Sequence, residues 1–420
     1  MTLPHALRAF RHRDYRLYFA GQGTSQIGTW LQLIATSWLI YQMTNSAFLL
    51  GLATFALHIP LLVLGPFAGV WVDRMVKRRV LQITQSVAFA QALAMLALVA
   101  SGHVQAWHLI AGNLALGVVN AFDSPARQSQ LVELVGGPAD LPNAIAFSSA
   151  LMNGARFVGP MIGGAVIAAL GETWGFGLNS LLRVAVLAAL WAIRAQPRPT
   201  EKGRSGLLEQ LGDGFRYAFG FVPTRSALLL VAATSFAVQP YQSLAPYFAK
   251  DVFHGDSRTL GWLIGAGGFG AVSGMLWLAA RPSIRGLLRL MPFSAGAAGA
   301  ALLAFAFVHS LLLALPLLFI VGMGVMLSAA ATNTVLQTIV EDRLRARVMS
   351  IYMMSFLGVV PLGALIAGAV AERIGPSATL ACAGILAVCA ALAYTANLPA
   401  IRQAIRPIYE KLGIVPGPEQ

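Results

Sequence analysis

The sequence of residues 47–79 decides the fold: AFLLGLATFALHIPLLVLGPFAGVWVDRMVKRR. Its first 26 residues contain no Asp, Glu, Lys or Arg, and charged side chains follow directly, from Asp73 to Arg79. A helix needs about 20 apolar residues to cross the hydrocarbon core of a bilayer. The stretch therefore predicts a membrane-spanning helix that ends in a charged loop.

The composition extends this prediction to the whole chain. Of 420 residues, 57% are apolar and only 11% are charged, against about 25% charged in soluble domains. The net charge of +13 would suggest a nucleic-acid partner in a polar chain, but the apolar excess indicates a bilayer and no nucleic acid. No dinucleotide-binding loop, metal cluster or nucleophile elbow stands in the right context, so neither an enzyme nor a cofactor is expected.

Short polar or charged breaks divide the chain into twelve apolar stretches of spanning length. They lie near residues 15–41, 47–71, 80–101, 106–127, 143–170, 174–194, 226–249, 259–280, 287–308, 311–338, 346–371 and 376–397. The longest polar segment falls between the sixth and seventh stretches. We therefore predict a six-helix bundle over 1–194, a cytoplasmic linker with an amphipathic part over 195–225, a second six-helix bundle over 226–397, and a cytoplasmic tail over 398–420.

The basic residues predict the orientation, because they accumulate on the cytoplasmic side of membrane proteins. With twelve spans, 24 of the 29 Lys and Arg residues fall on the side of the N-terminus, 3 fall on the other side, and Arg156 and Arg183 fall within spans. Both termini are therefore expected in the cytoplasm.

The two halves resemble each other weakly. Gly164 and Gly171 correspond to Gly368 and Gly375 at a constant offset of 204 residues, about half the chain. Such an offset predicts two parallel six-helix units around a central cavity. Chance matching among Gly-rich and Ala-rich helices is the alternative.

The charged loop after residue 71 carries the first specific motif. It contains Gly69, Asp73, Arg74, Lys77 and Arg78 and resembles the signature loop of the major facilitator superfamily, although Val76 stands where many relatives have Gly. Gly69 is expected to allow a close helix contact, and Arg74 or Arg78 to pair with an acid on another span. The acid we predict is Asp123. The resemblance implies a cytoplasmic gate, whereas positive-inside anchoring alone would explain only the basic residues.

The fifth span carries the second motif. Gly154, Gly159, Pro160, Gly163 and Gly164 resemble the antiporter motif of major facilitator exporters, with Ala155 where the full motif has an earlier glycine. The spacing of Gly159 and Gly163 favours close helix approach. Generic packing is the alternative.

Three further pieces carry a resemblance to one branch of the superfamily. They are Arg13-Asp14-Tyr15-Arg16, Pro125-Ala126-Arg127-Gln128, and Arg156 before Gly159-Pro160. Together they are similar to the enterobactin-exporter-like branch, which includes macrolide efflux proteins. The resemblance implies the major facilitator fold, a bacterial inner membrane, and efflux energised by the proton gradient.

Mid-membrane polar residues supply the candidate cavity. Arg156 is expected either to attract an anionic or catechol-like substrate or to fix a helix by bonds to carbonyls, and Arg183 is expected to be structural. Polar residues at helical spacing are further candidates for the cavity, and hydrogen bonding between neighbouring helices is the alternative role for each. They are Gln22, Gln26, Asn113, Asn120, Gln239, Tyr241, Asn333 and Gln337. His58 and Asp123 are weak candidates for the coupling proton, since no acid stands at mid-membrane.

These patterns predict a monomeric α-helical transporter, and the resemblance implies that it exports an amphipathic small molecule, such as a siderophore, macrolide or other drug, by alternating access with proton antiport. Uptake of an organic anion is one alternative. A receptor or assembly partner without transport activity is another. The sequence does not identify the substrate.

Overall fold

The structure is a computed structural model that describes residues 5–137, 139–194, 215–281, 283–412 and 414. Over these residues the chain is helical, with no strand. Six helices form the first half: α1 Arg13–Thr44, α2 Ala47–Asp73, α3 Lys77–Ala100, α4 Ala106–Leu134, α5 Leu141–Leu170 and α6 Glu172–Ala192. A short 3₁₀-helix, His5–Arg11, precedes α1. Of the predicted linker, 195–225, residues 195–214 lie outside the described residues; residues 215–220 are helical, and Val222 begins the next helix.

From Val222 onward, the described residues contain nine further α-helices. They are α7 Val222–Val238, α8 Tyr241–Tyr247, α9 Ser257–Ala279, α10 Leu287–Phe305, α11 Leu311–Ile339, α12 Asp342–Met353, α13 Val360–Ile374, α14 Pro376–Ala396 and α15 Leu398–Lys411. Two π-helical turns, Phe248–Val252 and Met354–Gly358, continue α8 and α12.

Within the described residues, nine helices are long and apolar enough to cross a membrane. They correspond to nine of the predicted spans. The other three predicted spans are helical as well, over α1, α4, and α7 with α8, but α1 and α4 carry several amides or charged groups. The total of twelve therefore stays a prediction.

Local sequence explains where the helices begin and end. The hydroxyl of Ser46 accepts a hydrogen bond from the Leu49 N–H at 3.2 Å and caps α2. Gly171 and Gly375 join α5 to α6 and α13 to α14, with φ angles of +87° and +86°. Such angles strongly favour glycine, so the repeat pairs two glycines that have the same conformational role.

The chain packs into two compact units. Unit 1 comprises residues 1–202 and 243–268, and unit 2 comprises residues 203–242 and 269–420. In unit 1, α1 packs on α5 and α6, α2 packs on α4, and α3 packs on α4 and α6. In unit 2, α10 packs on α11 and α14, and α7 packs on α14. The predicted domain boundaries stay a prediction.

The helices expose large apolar side chains on their outer faces. Leu312 is 79% exposed, Phe293 75% and Trp191 70%. Soluble proteins rarely leave extended apolar surface open to water. These faces are suited to lipid.

Candidate transport and gate residues

A buried ion pair lies on α4. Asp123 is 1% exposed, and its carboxylate accepts hydrogen bonds from the Thr84 hydroxyl and the Gln85 amide, both at 2.8 Å. The guanidinium of Arg127, one turn along the same helix, donates to the second carboxylate oxygen. Both oxygens of the only acid buried among the described residues are therefore satisfied, as a charge in an apolar surrounding requires.

Arg183 extends this network to α6. Its side chain is buried, and its guanidinium donates to the side-chain oxygen Oε1 of Gln85 at 3.3 Å. Gln85 therefore connects Asp123 to Arg183 and links α3, α4 and α6. This position supports the structural role predicted for Arg183.

A second chain of amides joins α1, α3 and α6. The amide of Asn179 donates to Gln32, and the amide of Gln32 donates to Gln91 at 3.1 Å. Asn113 similarly donates to the Ala53 carbonyl at 3.0 Å, which ties α4 to α2. Asn113 therefore bonds two helices together, which was the alternative to its predicted place in the cavity.

The predicted contacts of the charged loop are not those in the structure. We expected Asp123 to pair with Arg74 or Arg78, but it pairs with Arg127, because that side chain is one turn away on the same helix. Arg78 instead donates to the carbonyls of Leu190 and Trp191, both at 3.0 Å.

Other residues of the loop also differ from expectation or stay open. A Cβ atom at Gly69 would meet no atom within 4 Å, so the expected close helix contact is absent among the described residues. Lys77 is buried at the start of α3, and Arg74 is exposed just after α2. The side chain of Asp73, the last residue of α2, lies outside the described residues.

The glycines of α5 contact two different elements. Gly159 packs against Trp30 of α1, and Gly163, one turn further along α5, packs against Leu31 and Ile34 of α1. Gly164 lies against Ser257 and the backbone of Gly261 on α9. Gly154 has open space where a Cβ atom would stand, so the predicted motif divides into contact glycines and one free position.

Residues 243–268 make further polar contacts within unit 1. The Ser257 hydroxyl donates to the Gly164 carbonyl at 3.2 Å, and Ser243 bonds Thr54 at 3.0 Å. The Tyr41 hydroxyl, at the end of α1, donates to the Asp251 carboxylate.

The Lys250 ammonium donates to the Asn45 side chain at 2.7 Å and lies 5.3 Å from the centre of the Tyr41 ring. This cluster lies at the end of unit 1 that the basic residues predict to be extracellular.

The remaining candidates of unit 1 lie on α1, α2, α4 and α5. Gln22 is 3% exposed, and neither end of its amide has a hydrogen-bond partner among the described residues. Gln26 is half-buried, and Asn120 is exposed. His58 bonds the Thr54 carbonyl through Nδ1 at 2.9 Å, and Arg156 lies within electrostatic range of His58.

In unit 2, the candidates form one small cluster and one separate pair. Gln337 donates to Asn333, which also bonds Tyr352, and the Tyr352 hydroxyl donates to the Ala329 carbonyl at 3.0 Å. Gln239 and Tyr241 flank the break between α7 and α8.

Sequence reasoning missed the roles of Arg127, Thr84 and Gln85. The spacing of Asp123 and Arg127 is a signal that was available, since residues four apart share a helix face. Thr84 and Gln85 carry no comparable signal, because uncharged polar residues are frequent in this chain and the pairing of α3 with α4 is a tertiary feature.

Comparison with known proteins identifies the family. The family described as transmembrane secretion effector matches residues 5–410. The staphyloferrin A transporter of Staphylococcus aureus (strain NCTC 8325 / PS 47) is 26% identical over 382 residues, which cover 90% of this chain and 95% of that protein. The multidrug efflux pump Tap of Mycolicibacterium fortuitum is 30% identical over 376 residues, which cover 85% and 88%.

Solved structures share the fold. A bacterial homologue of the human lysosomal transporter Spinster, in an inward-facing and occupied conformation, superposes with a TM-score of 0.69 at 17% identity and covers 94% of this chain and 98% of its own. The nucleoside transporter NupG superposes with a TM-score of 0.68 at 13% identity and covers 91% and 99%.

The helical architecture and these likenesses define a multi-pass membrane transporter of small molecules with the major facilitator fold. The chain belongs to the transmembrane secretion effector family of that superfamily. The predicted fold class, the transport of small molecules and the assignment as a transporter rather than an enzyme are confirmed.

Proposed function

We propose that the protein exports an amphipathic small molecule, such as a siderophore or drug, in exchange for protons. The observation that carries this proposal is the 30% identity, over 85% of the chain, to a pump named for multidrug efflux. The contact glycines of α5, in the register of the antiporter motif, support it. The protein works as a monomer in a bacterial inner membrane, with both termini in the cytoplasm.

The transport cycle is alternating access. On the cytoplasmic side, the gate comprises the loop from Gly69 to Arg78 and the Asp123 network. Arg78 fixes the end of α6 through two carbonyls, so a movement of the loop is transmitted to α6. On the outer side, the contacts of residues 243–268 with α1 and α5 form and break during the cycle.

The substrate contacts polar groups that the packing of each unit leaves available. Gln22 supports this assignment best, because a buried amide without a protein partner costs free energy unless a ligand or water satisfies it. Gln26 and Gln239 add hydrogen-bonding groups. Arg156, which also interacts within the protein, is assigned for the positive charge that it places near mid-membrane, whereas Asn333 already bonds Gln337 and Tyr352 and is left out. Asn113 is left out, since its amide already bonds Ala53.

The coupling proton is carried by Asp123. Protonation of its carboxylate would release Arg127, and it would weaken the hydrogen bonds that Thr84 and Gln85 of α3 donate to the charged group. His58 is the second candidate, but its Nδ1 is already engaged by the Thr54 carbonyl.

Transport in inverted membrane vesicles tests direction and coupling together. We expect energised inverted vesicles that contain the protein to accumulate an amphipathic fluorescent dye, and a protonophore to abolish the accumulation. Arg156→Ala is expected to lower accumulation of anionic dyes at least tenfold more than that of neutral dyes, with Arg156→Lys retaining part of the effect. Accumulation only in right-side-out vesicles would instead establish uptake of organic anions.

A further inference from the structure

A groove on the outer face of unit 2 has the polarity of a phospholipid. It encloses about 580 Å³ between α10 and α14. Gly296, Ala297 and Ala300 form its floor on α10, and Leu392 and Phe293, which is 75% exposed, rise beside it. Its lining includes no acidic side chain.

One end of the groove is polar and positively charged. Arg289 and Thr395 line this end together with Leu398, the first residue of α15. The Arg289 side chain is exposed and takes part in no ion pair among the residues that the structure describes.

The length of the groove matches one leaflet. Arg289 and Ala300 are about 16 Å apart along α10 at about 1.5 Å per residue. Half of a hydrocarbon core of about 30 Å is about 15 Å. An acyl chain that lies on the glycine and alanine floor therefore places its headgroup beside Arg289.

We propose that this groove binds an anionic phospholipid from the leaflet on the predicted cytoplasmic side, with one acyl chain along Gly296 and Ala300 and the phosphate at Arg289. The charge selects an anionic headgroup over a zwitterionic one, because basic pockets at the cytoplasmic ends of membrane helices attract negative lipids. The site is separate from the transport residues and does not depend on the proposed function.

Native mass spectrometry of the purified full-length protein, with added phosphatidylglycerol or phosphatidylethanolamine, tests the proposal. We expect retention of phosphatidylglycerol to exceed that of phosphatidylethanolamine. Arg289→Gln is expected to weaken phosphatidylglycerol binding about fivefold, the factor for one basic residue near a membrane surface. Gly296→Leu, which fills the floor, is expected to weaken binding of both lipids.

Arg225→Gln is the matched control, since it removes the same charge from unit 2 at an exposed position outside the groove. Equal losses in Arg225→Gln and Arg289→Gln would overturn the proposal, as would unchanged lipid binding in both groove variants. A shift from dimer to monomer in Gly296→Leu without loss of lipid would show an interface between copies and overturn it too.

A measurement on the protein without substitutions does not depend on whether the variants fold. A phosphatidylglycerol with a photoactivatable group in its acyl chain is expected to label peptides that contain residues 292–300 or 388–395. Labelling spread over the other lipid-facing helices, with none at these residues, contradicts the site.

Discussion

At the scale of single residues, the Asp123–Arg127 pair governs the stability of unit 1. Asp123 is 1% exposed and the Arg127 side chain is 18% exposed, so water can replace little of the interaction between them. Thr84 and Gln85 both donate hydrogen bonds to the carboxylate. Removal of one partner of a buried pair costs about 3–5 kcal/mol, whereas replacement of both by neutral groups costs far less.

Asp123→Asn is therefore expected to lower the melting temperature of the purified protein strongly, because Arg127 is left buried without a counter-charge. The double variant Asp123→Asn/Arg127→Gln should recover most of this loss while transport stays abolished. Scanning fluorimetry in detergent measures the first effect and vesicle transport the second. Arg343→Gln, which breaks an exposed pair with Glu341, is the control and should change stability by at most about 1 kcal/mol. A double variant less stable than Asp123→Asn contradicts the assignment.

Asp140 anchors the N-terminal 3₁₀-helix outside the membrane. His12 donates a hydrogen bond to its carboxylate at 2.9 Å and Arg8 lies 3.4 Å away, and these contacts hold the pKa of Asp140 below its usual value. A depressed folded-state pKa means that the ionised carboxylate stabilises docking above the unfolded pKa of about 3.9. This stabilisation is lost as the pH falls through the folded-state pKa.

We therefore expect amide hydrogen exchange of residues 5–12, corrected for the intrinsic rate, to be protected at pH 7 and to accelerate below about pH 4. Asp140→Asn should show the accelerated exchange already at pH 7. Equal protection in both proteins at pH 7 would mean that the Ala9–Asn143 hydrogen bond and the contacts of the Phe10 ring with Tyr15 and Phe147 hold the segment without Asp140.

At the scale of elements, α5 contacts its neighbours through glycines: side chains of α1 pack onto Gly159 and Gly163, and the backbone of α9 lies against Gly164. Gly159 and Gly163 allow α1 to approach, and Gly164 allows α9 to approach on the adjacent face. Small residues at helix interfaces have this effect in membranes, where dispersion and polar contacts replace the hydrophobic drive. The glycines of the antiporter motif therefore contact two different helices, α1 and α9.

Gly164→Ala is expected to impair transport and lower thermal stability, because the added Cβ would overlap the backbone of residues 257–261. Gly154→Ala is the matched control on the same helix. It meets open space, and alanine favours a helix over glycine by about 1 kcal/mol, so its stability should be unchanged or slightly raised. Equal effects of the two substitutions on transport and melting temperature would refute the division of the motif.

The elements themselves were largely predictable from the sequence. Apolar runs bounded by basic residues indicate spans, since a charge inside the bilayer is costly. Glycines at 171 and 375 indicate the joints, since few other residues adopt their backbone angles. The partners of Asp123 and Gly164 were not predictable, because helical spacing defines a face but not the neighbouring helix. The docking of His5–Arg11 was missed for the same reason.

At the scale of the whole molecule, the uneven distribution of basic residues predicts the orientation. The two native cysteines, Cys382 and Cys389, are exposed and are replaced by serine before labelling. In that background, Arg258→Cys is expected to react with a membrane-impermeant maleimide on intact cells, and Ser283→Cys only after lysis. Both substituted residues are exposed in the structure, so accessibility of the side chain is matched. The reverse pattern would invert the predicted topology.

The buried pair on α4 also has a consequence for biosynthesis. An isolated Asp or Arg in a membrane helix adds up to about 2.5–3.5 kcal/mol to its transfer from the translocon into lipid. Because Asp123 and Arg127 bind each other within one helix, α4 leaves the translocon as a nearly neutral segment, and α3 with Thr84 and Gln85 has already been synthesised. Arg183 emerges later, when Gln85 is already in place to accept its hydrogen bond. The order of the helices along the chain therefore lets each charge find its partner as it is inserted.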